Sequence, residues 1–588
     1  MIALPMIPVR TVDGTNWGGP NSTMPDRQNV ARVVYDNRNN RYTYWRIFGD
    51  AYVNLNPLKG LNIRSTFGLD YAQKYQRNFT LPYNTGFLNS DKDAVEMKQE
   101  HFTKWMWNAV ATYELEIGKH RGDVMAGMEL NREDDINFAA YREGFAILTP
   151  DYMYPSAGVG QSQASGGAGG FSLVSFFGKL NYSYADKYLL SFTLRRDGSS
   201  RFGSNNKYAT FPSVSLGWRI SEEAFMEKTR SVIDDLKIRA AWGQTGNQDI
   251  ENYARYSIYE SKYGTGNPPT YGTSYDITGN NGGGLLPSGF VRTQIGNDDI
   301  KWETTTQTNI GLDFSLFNQT LYGSAEYYYK KTTDILIKPS YIAILGEGGG
   351  QWRNAGSMEN KGFEFHLGYR NKTAFGLSYD INANLGLYRN KILFVPSEVA
   401  STGDFGGDGV MNIIGAGYIA DGIFKSQEEV DNHADQTGKG IGRIRYKDLD
   451  NNGVIDTKDQ TWIGDPNPDF TYGLNIYLEY KNFDLTMFWQ GVQGVDVYNE
   501  VKKNTDFWSV GDMNANRGTR LLGAWTPENP NSNIPAVCLE DLNNEKRISS
   551  YYIENGSYLK LRNLQLGYTL PTELSKKIKM ERLRFYFG

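Results

Sequence analysis

The sequence predicts an all-β fold, a transmembrane antiparallel β-barrel whose strands run up and down in chain order. Three observations predict it. Apolar and polar residues alternate with a period of two, short and long connections take turns along the chain, and aromatic residues make up 14% of the 588 residues. No apolar run approaches the roughly 18 residues that a membrane helix needs, so insertion through helices is excluded.

The alternation is clearest over 309–316, where Asn, Gly, Asp and Ser take turns with Ile, Leu, Phe and Leu. The segments 213–220, 471–480 and 482–490 follow the same rule. Because successive side chains of a strand point to opposite faces, each of these strands has one apolar and one polar face. A soluble β-sandwich alternates in the same way, so this pattern alone does not choose between the two folds.

The connections favour the membrane barrel. Long links over 142–169, 246–300, 393–466 and 499–555 are separated by short turns. In a meander every second turn lies on the same side, so the long loops share one rim. Outer-membrane barrels have this asymmetry, with short periplasmic turns and long extracellular loops. The link 221–234 is of middling length and predicts one helical turn.

About sixteen strands are predicted. They lie near 42–56, 60–77, 94–116, 122–140, 170–184, 188–197, 207–220, 235–245, 302–316, 320–337, 356–370, 374–392, 468–480, 482–498, 556–570 and 578–588. Such strands can span hydrocarbon only as a closed cylinder, because every backbone N–H and C=O has to be paired there. Tyr and Trp are expected in the two interfacial girdles, while Tyr327, Tyr328 and Tyr329 fit either a girdle or the lumen.

Charge and composition exclude several functions. The 61 Lys and Arg against 66 Asp and Glu leave no positive surplus for nucleic acid. A single cysteine, Cys538, excludes an internal disulfide. The four histidines lack metal-site spacing. Adjacent carboxylates such as Asp234 and Asp235 would point to opposite faces of a strand, so no catalytic residue and no organic cofactor is expected.

The sharpest local motif is an EF-hand-like loop at 448–459, inside the predicted extracellular loop 393–466. The candidate Ca²⁺ ligands are Asp448, Asp450, Asn452, the Val454 carbonyl, Asp456 and Asp459. Gly453 supplies the tight turn at position 6. The final Asp replaces the usual Glu, and its shorter reach puts bidentate ligation in doubt. A structural Ca²⁺ that rigidifies the loop is expected, and a plain Asp/Asn turn is the alternative.

Aromatic residues in the long links are candidate substrate contacts, because such rings stack on sugars or on peptide side chains. Loop packing and contact with a lid protein explain them equally well. The candidates are Trp352, Trp508 and Trp525, with Phe507, Tyr263, Tyr271 and Tyr275 beside them.

Seven stretches resemble the SusC/RagA-like branch of TonB-dependent transporters, the glycan and peptide importers of Bacteroidetes. They follow the family order, at 184–203, 208–226, 236–250, 300–318, 353–365, 525–531 and 555–571. The resemblance implies active import of oligosaccharides or peptides through the outer membrane of a Gram-negative bacterium, with no enzymatic activity. It also implies a SusD-like surface lipoprotein as lid, and energy from the TonB–ExbB–ExbD complex.

The resemblance further implies twenty-two strands and a plug. The whole sequence, 1–588, would then be a partial barrel that lacks the signal peptide, the plug domain and the terminal strands. Two alternatives from other classes remain, a passive outer-membrane porin and a soluble β-rich binding protein or hydrolase.

Overall fold

The computed structural model describes residues 7–20, 28–260, 291–339, 350–396, 417–510 and 517–588. Its main element is one antiparallel sheet of sixteen strands, in which each strand pairs with its neighbours in chain order. The strands are β1 Arg41–Leu58, β2 Leu61–Thr80, β3 Ala94–Ile117, β4 His120–Glu143, β5 Ser162–Tyr184, β6 Tyr188–Ser199, β7 Tyr208–Arg219, β8 Ile233–Asn247, β9 Glu303–Leu316, β10 Leu321–Thr333, β11 Ser357–Lys372, β12 Leu377–Phe394, β13 Phe470–Tyr480, β14 Phe483–Gln493, β15 Tyr558–Thr569 and β16 Arg584–Phe587.

This meander confirms the predicted fold class, and each predicted strand overlaps one observed strand. The predicted strand 320–337 is too long, because the chain turns at Asp334, which has a positive φ of 56°. The predicted 482–498 is cut in the same way at Gly494, where φ is 70°. The predicted 578–588 starts too early, because residues 578–583 are turn and irregular backbone after the helix Thr572–Lys577, and β16 begins only at Arg584.

The connections divide between two rims as predicted. One rim carries short turns such as those after β3, β5 and β13, and the other carries the long loops after β4, β8, β12 and β14. The middling link between β7 and β8 contains the predicted helical turn, as two 3-10 segments at Ile220–Glu222 and Ala224–Thr229. The sheet therefore has one tight rim and one elaborate rim.

Shorter elements decorate the loops. The helices are Val30–Asp36, Gln427–Asn432, Lys502–Thr505 and Thr572–Lys577, and the remaining 3-10 segments are Asn37–Asn39, Thr457–Asp459, Thr519–Gly523 and Ser550–Tyr552. The short strands are Tyr83–Asn84, Asn89–Ser90, Ile258–Glu260, Val291–Ile295, Leu336–Ile337, Gly350–Gln351, Arg353–Asn354, Gly417–Tyr418, Ala420–Ile423, Ile444–Tyr446, Gln460–Thr461, Asp496–Tyr498 and Ile553–Asn555. Within the described ranges, every helix is too short or too polar to cross a membrane.

The apolar face of the sheet is exposed along whole rows of register partners. Leu216, Ala240, Ile310, Tyr327 and Phe363 follow one another across five strands. Leu216 is 57% exposed, Ile310 56% and Phe363 49%. A soluble sandwich would cover such a face with a second large sheet, whereas the other described sheets have two or three strands. This outer face has the composition of a lipid-facing surface.

An aromatic girdle edges the outer face at the short-turn rim. Its exposed rings include Tyr184, Tyr188, Trp218, Tyr369 and Tyr480. Rings of this kind, apolar with one polar atom, sit at the boundary between hydrocarbon and headgroups. The girdle marks one edge of the membrane-spanning band.

The three consecutive tyrosines of β10 divide between the two faces. Tyr327 points outward, and its ring centroid lies 5.0 Å from that of Phe363. Tyr328 points inward over its register partner Gly362, where a side chain on the glycine would collide with the ring. The Tyr329 hydroxyl, outward again, donates to Glu359 at 3.0 Å.

Replacing Ile310 by Lys places a charge near the middle of the outer face. We expect the free energy of unfolding in lipid vesicles, measured by urea titration, to fall by about 2–4 kcal/mol. Gln307→Lys is the matched control, because Gln307 lies three residues away on the inner face. Equal losses in both variants would contradict the assignment of the two faces.

Candidate functional site

The inner wall of the sheet is polar and crossed by ion pairs. The Asp313 carboxylate of β9 forms ion pairs with two cations of β8, Lys237 at 2.8 Å and Arg239 at 3.2 Å. Arg239 also pairs with Glu326 of β10, and Asn309 donates to the same carboxylate. Charged groups away from bulk water are stable only when paired in this way.

The inner wall has open concave hollows that are large enough to hold small polar solutes. A hollow of about 680 Å³ lies between β5 and β9, and one of about 450 Å³ adjoins it toward the short-turn rim. Short polar side chains line the larger one together with Leu173, Phe211 and Trp302. Arg195 is held there between Asp197 at 2.7 Å and Ser175 at 2.9 Å. Hydroxyl, amide and paired ionic groups at this density can bind and release hydroxylated or peptide-like molecules.

At the opposite rim, residues 417–466, 495–510 and 517–557 fold into one packed unit, here called the loop module. Three pairs of short strands build it, each pair joining segments far apart in the chain. Its apolar core contains Ile444, Tyr446, Phe507 and Tyr552, all 3% exposed or less. Phe507, predicted as a substrate contact, is therefore a core residue, in keeping with the loop-packing alternative.

A buried polar network crosses the loop module beside this core. The Glu545 carboxylate pairs with Arg443 at 3.1 Å and accepts the Ile444 backbone N–H at 3.0 Å. The Gln436 amide donates to Asn543 at 2.6 Å and to the Ile444 carbonyl at 2.8 Å. Burial raises the pKa of Glu545, although Arg443 acts in the opposite direction. The network ties the two long loops together.

The EF-hand-like loop lies on the surface of the loop module and is folded around its own carboxylates. Oxygens of Asp448, Asp450 and Asp459 approach within 4.8 Å of one another. The Gly453 N–H donates to Asp448 at 2.8 Å, and Gly453 has a positive φ of 84°. The second Asp448 oxygen is buried, with no hydrogen-bond partner among the described residues.

Backbone N–H groups already donate to the side chains of the predicted ligands Asp456, Asn452 and Asp459. The Asp456 side chain caps the 3-10 segment Thr457–Asp459 by accepting the Lys458 N–H at 2.7 Å. Asn452 accepts the Val454 N–H at 2.8 Å. The Asp459 oxygens accept backbone N–H groups at 2.7 and 2.8 Å. Burial alone would raise the pKa of Asp459, but these bonds outweigh it and hold the pKa below its ordinary value.

The loop also connects to the core of the module. Asp435 exchanges two backbone hydrogen bonds with it, to the Gly453 carbonyl at 2.7 Å and from the Ile455 N–H at 2.9 Å. The Ile455 side chain packs against the apolar core. An ion held by the carboxylates would therefore fix the position of the core residues behind them.

The three predicted tryptophans occupy separate environments. Trp352 packs against the apolar cluster at the long-loop ends of β7 and β9, and its indole N–H donates to Glu251 at 3.2 Å. Trp525 is 8% exposed and its ring lies against Gly442. Trp508, 36% exposed, has the Arg517 guanidinium 5.2 Å from its ring centroid.

Trp508 is thus the most accessible of the three tryptophans, and the structure does not bring them into one surface. The other predicted aromatic contacts, Tyr263, Tyr271 and Tyr275, lie outside the described residues. The inner wall and the buried network of the loop module were not predicted, because their partners come from distant strands and loops. The acidic and basic residues alternating into the lumen on β8 and β9 were the available signal.

Known proteins share the sequence pattern and the fold of this chain. The family model described as "TonB dependent receptor-like, beta-barrel" matches residues 8–588. TonB-dependent receptor P26 of Formosa agariphila is 31% identical over 584 residues, which covers 96% of this chain and 55% of the relative. TonB-dependent receptor SusC of Bacteroides thetaiotaomicron is 28% identical, with 87% of this chain and 48% of the relative covered.

A solved structure of the RagAB peptide transporter superimposes with a TM-score of 0.79 at 22% identity. The match covers 98% of this chain and 61% of that chain, and at this identity it shows the shared fold. The chain spans about half the length of the curated relatives it matches.

Replacing Glu545 by Ala removes the ion-pair partner of Arg443 and the acceptor of the Ile444 N–H inside the loop module. We expect the module to open more easily, by about 3–5 kcal/mol, as measured by hydrogen exchange over 417–466 and 495–557. Glu545→Gln keeps an acceptor for the Ile444 N–H and should lose less. The exposed Lys546→Ala is the control, and unchanged exchange in Glu545→Ala would contradict the role of the network.

Proposed function

Because the chain belongs to the TonB-dependent receptor-like β-barrel family, we propose that it forms the wall and loops of an outer-membrane importer of bulky nutrients. The observation that carries this proposal is the two-faced sheet. Its outer face is an exposed apolar band, and its inner face is polar, ion-paired and hollowed. A wall of this kind separates lipid from a water-filled path, and the chain acts as a transporter component and not as an enzyme.

The proposed cargo is an oligosaccharide or a peptide, and the proposed power source is the TonB–ExbB–ExbD complex. The polar groups of the lining support a hydrogen-bonding cargo, because Ser, Thr, Asn and paired ionic groups face the hollows between β5 and β9 beside apolar rings such as Phe211 and Trp302. The relative RagAB is named a peptide transporter, which supports peptide as one of the two cargo classes.

A SusD-like surface lipoprotein is the proposed lid. The loop module lies on the long-loop rim, where such a protein would rest. Several of its large apolar side chains are exposed, including Leu522 at 91%, Leu539 at 75% and Leu542 at 68%. Exposed apolar groups concentrated on one loop unit support contact with a partner protein.

We also propose that the sixteen strands belong to a larger barrel of about twenty-two. β1 and β16 form the two edges of the sheet, and β1 is exposed along its full length. The outer backbone groups of these strands need partners before the sheet can cross hydrocarbon. Further strands between the two edges would supply them.

The import function is tested by fractionation and uptake. The full-length protein should sediment with outer membranes, and a strain lacking it should lose growth on the cognate oligosaccharide or peptide. Uptake should stop when TonB is removed, because the energy reaches the barrel through TonB. Recovery in the soluble fraction, or uptake that persists without TonB as in a passive porin, would overturn the proposal.

A structural Ca²⁺ in the loop at 448–459 is a second part of the proposal. The supporting observation is the convergence of Asp448, Asp450 and Asp459, together with the buried Asp448 oxygen that has no hydrogen-bond partner among the described residues. Ca²⁺ binds six to eight such oxygens. The Asn452 side-chain oxygen and the Val454 carbonyl are candidates to complete the site. Asp456 would either hold the loop in place as the cap of Thr457–Asp459 or contact the ion through a bridging water.

Calorimetric titration of the full-length receptor with Ca²⁺ should show one binding event that Asp450→Asn weakens by about tenfold or more. Ca²⁺ should also slow proteolysis within 417–466. Asp421→Asn is the matched control, since Asp421 is exposed in the same module and outside the acidic group. No heat at millimolar Ca²⁺ would reject the site.

A further inference from the structure

A compact group of cations lies on the outer face of the sheet at the long-loop rim. Lys331, Lys361, Arg389 and Lys391 come from the adjacent strands β10, β11 and β12. Tyr327 and Phe363 fix their orientation, because these exposed rings point outward and side chains two residues apart share a face. By the same alternation, all four cations point away from the lumen.

The register places the four cations in two neighbouring rows. Tyr329, Lys361 and Arg389 are partners in the first row, and Lys331, Glu359 and Lys391 in the second. Strands lie about 4.8 Å apart and rows about 7 Å apart. The four charges therefore occupy a patch of roughly 10 by 7 Å, which one or two phosphate groups can bridge.

The carboxylates nearby do not neutralise this patch. Lys361 approaches Glu359 at 3.9 Å, and Arg389 pairs with Asp469 at 2.6 Å. In the described ranges, Lys331 and Lys391 form no ion pair, so four positive groups face two negative ones. By contrast, Arg132 on the outer face of β4 is matched by Asp134 at 2.7 Å.

The height of the patch matches the far edge of a bilayer. Tyr369 belongs to the aromatic girdle at the short-turn rim, and β11 continues from it through Leu367, Phe365 and Phe363 on the outer face. Lys361 and Glu359 follow eight and ten residues above Tyr369. At about 3.4 Å per residue and a tilt of about 40°, this distance is roughly 21–26 Å, close to the ~25 Å apolar band of outer-membrane barrels.

We propose that this patch binds the phosphate of a phosphorylated glycolipid in the outer leaflet of the membrane. The inference rests on the proposed function, which puts the long-loop rim outside the cell. The patch is continuous with the apolar rows that face the acyl chains, so one lipid can place its chains on Phe363 and its phosphate on the cations. Arg and Lys are the side chains that bind phosphate most strongly.

The test is a native mass-spectrometry titration of the full-length receptor in detergent with lipid A, against the same lipid after enzymatic removal of its phosphate. The wild type should prefer the phosphorylated lipid by about tenfold or more. The variant that combines Lys331→Gln, Lys361→Gln, Arg389→Gln and Lys391→Gln should lose this preference. Replacing the three lysines by Arg should keep it.

Lys330→Gln is the matched control, because Lys330 is the neighbour of Lys331 on the inner face, and it should leave the preference unchanged. Heat modifiability of each variant on gels verifies that the barrel is folded. A preference that survives in the quadruple variant would overturn the inference, as would equal competition by inorganic phosphate. Outer-membrane sedimentation tests the proposed function separately, so failure of the lipid preference in a correctly inserted receptor refutes this inference alone.

Discussion

Pairing of backbone N–H and C=O groups is the constraint on which the rest of this structure depends. Hydrocarbon offers these groups no alternative partner, so a chain that crosses it as strands has to pair every strand on both sides. The sixteen-strand meander meets this demand between β1 and β16. Once each strand is fixed between two neighbours, its side chains can differ on the two faces without any apolar core between sheets.

The same constraint explains why so much of the fold was predictable. In a strand between lipid and water, successive side chains face lipid and water in turn. The alternation of Ile310 and Leu312 with Gly311 and Asp313 is therefore visible within a few residues of sequence. The resemblance to SusC/RagA-like transporters, confirmed by SusC and the Formosa relative, depends on similarly local stretches. Strand ends were less predictable, because turns such as that at Asp334 interrupt a pattern that otherwise continues.

The loop module shows where sequence reasoning ended. Its contacts join residues about a hundred positions apart, as in the pairs Arg443–Glu545 and Gln436–Asn543, and no period connects them. Trp525 therefore looked like an accessible ring and is buried against Gly442. The acidic loop at 448–459 was recognisable because all its candidate ligands lie within twelve residues, so its geometry depends on local turns more than on distant packing.

Charged side chains are paired on the inner face of the sheet, whereas the outer face has an excess of cations at one edge. Inside, Arg239 is satisfied by Asp313 and Glu326 on neighbouring strands, which leaves a wall that is polar without a strong attraction for one ion. Outside, the band between the Tyr369 girdle and Phe363 on β11 is apolar, and the unbalanced cations of β10, β11 and β12 lie where that band ends. An unpaired charge in hydrocarbon would be costly, whereas at the headgroup level it meets phosphates. The position of Lys361 and its neighbours thus follows from the same boundary that sets the length of the strands.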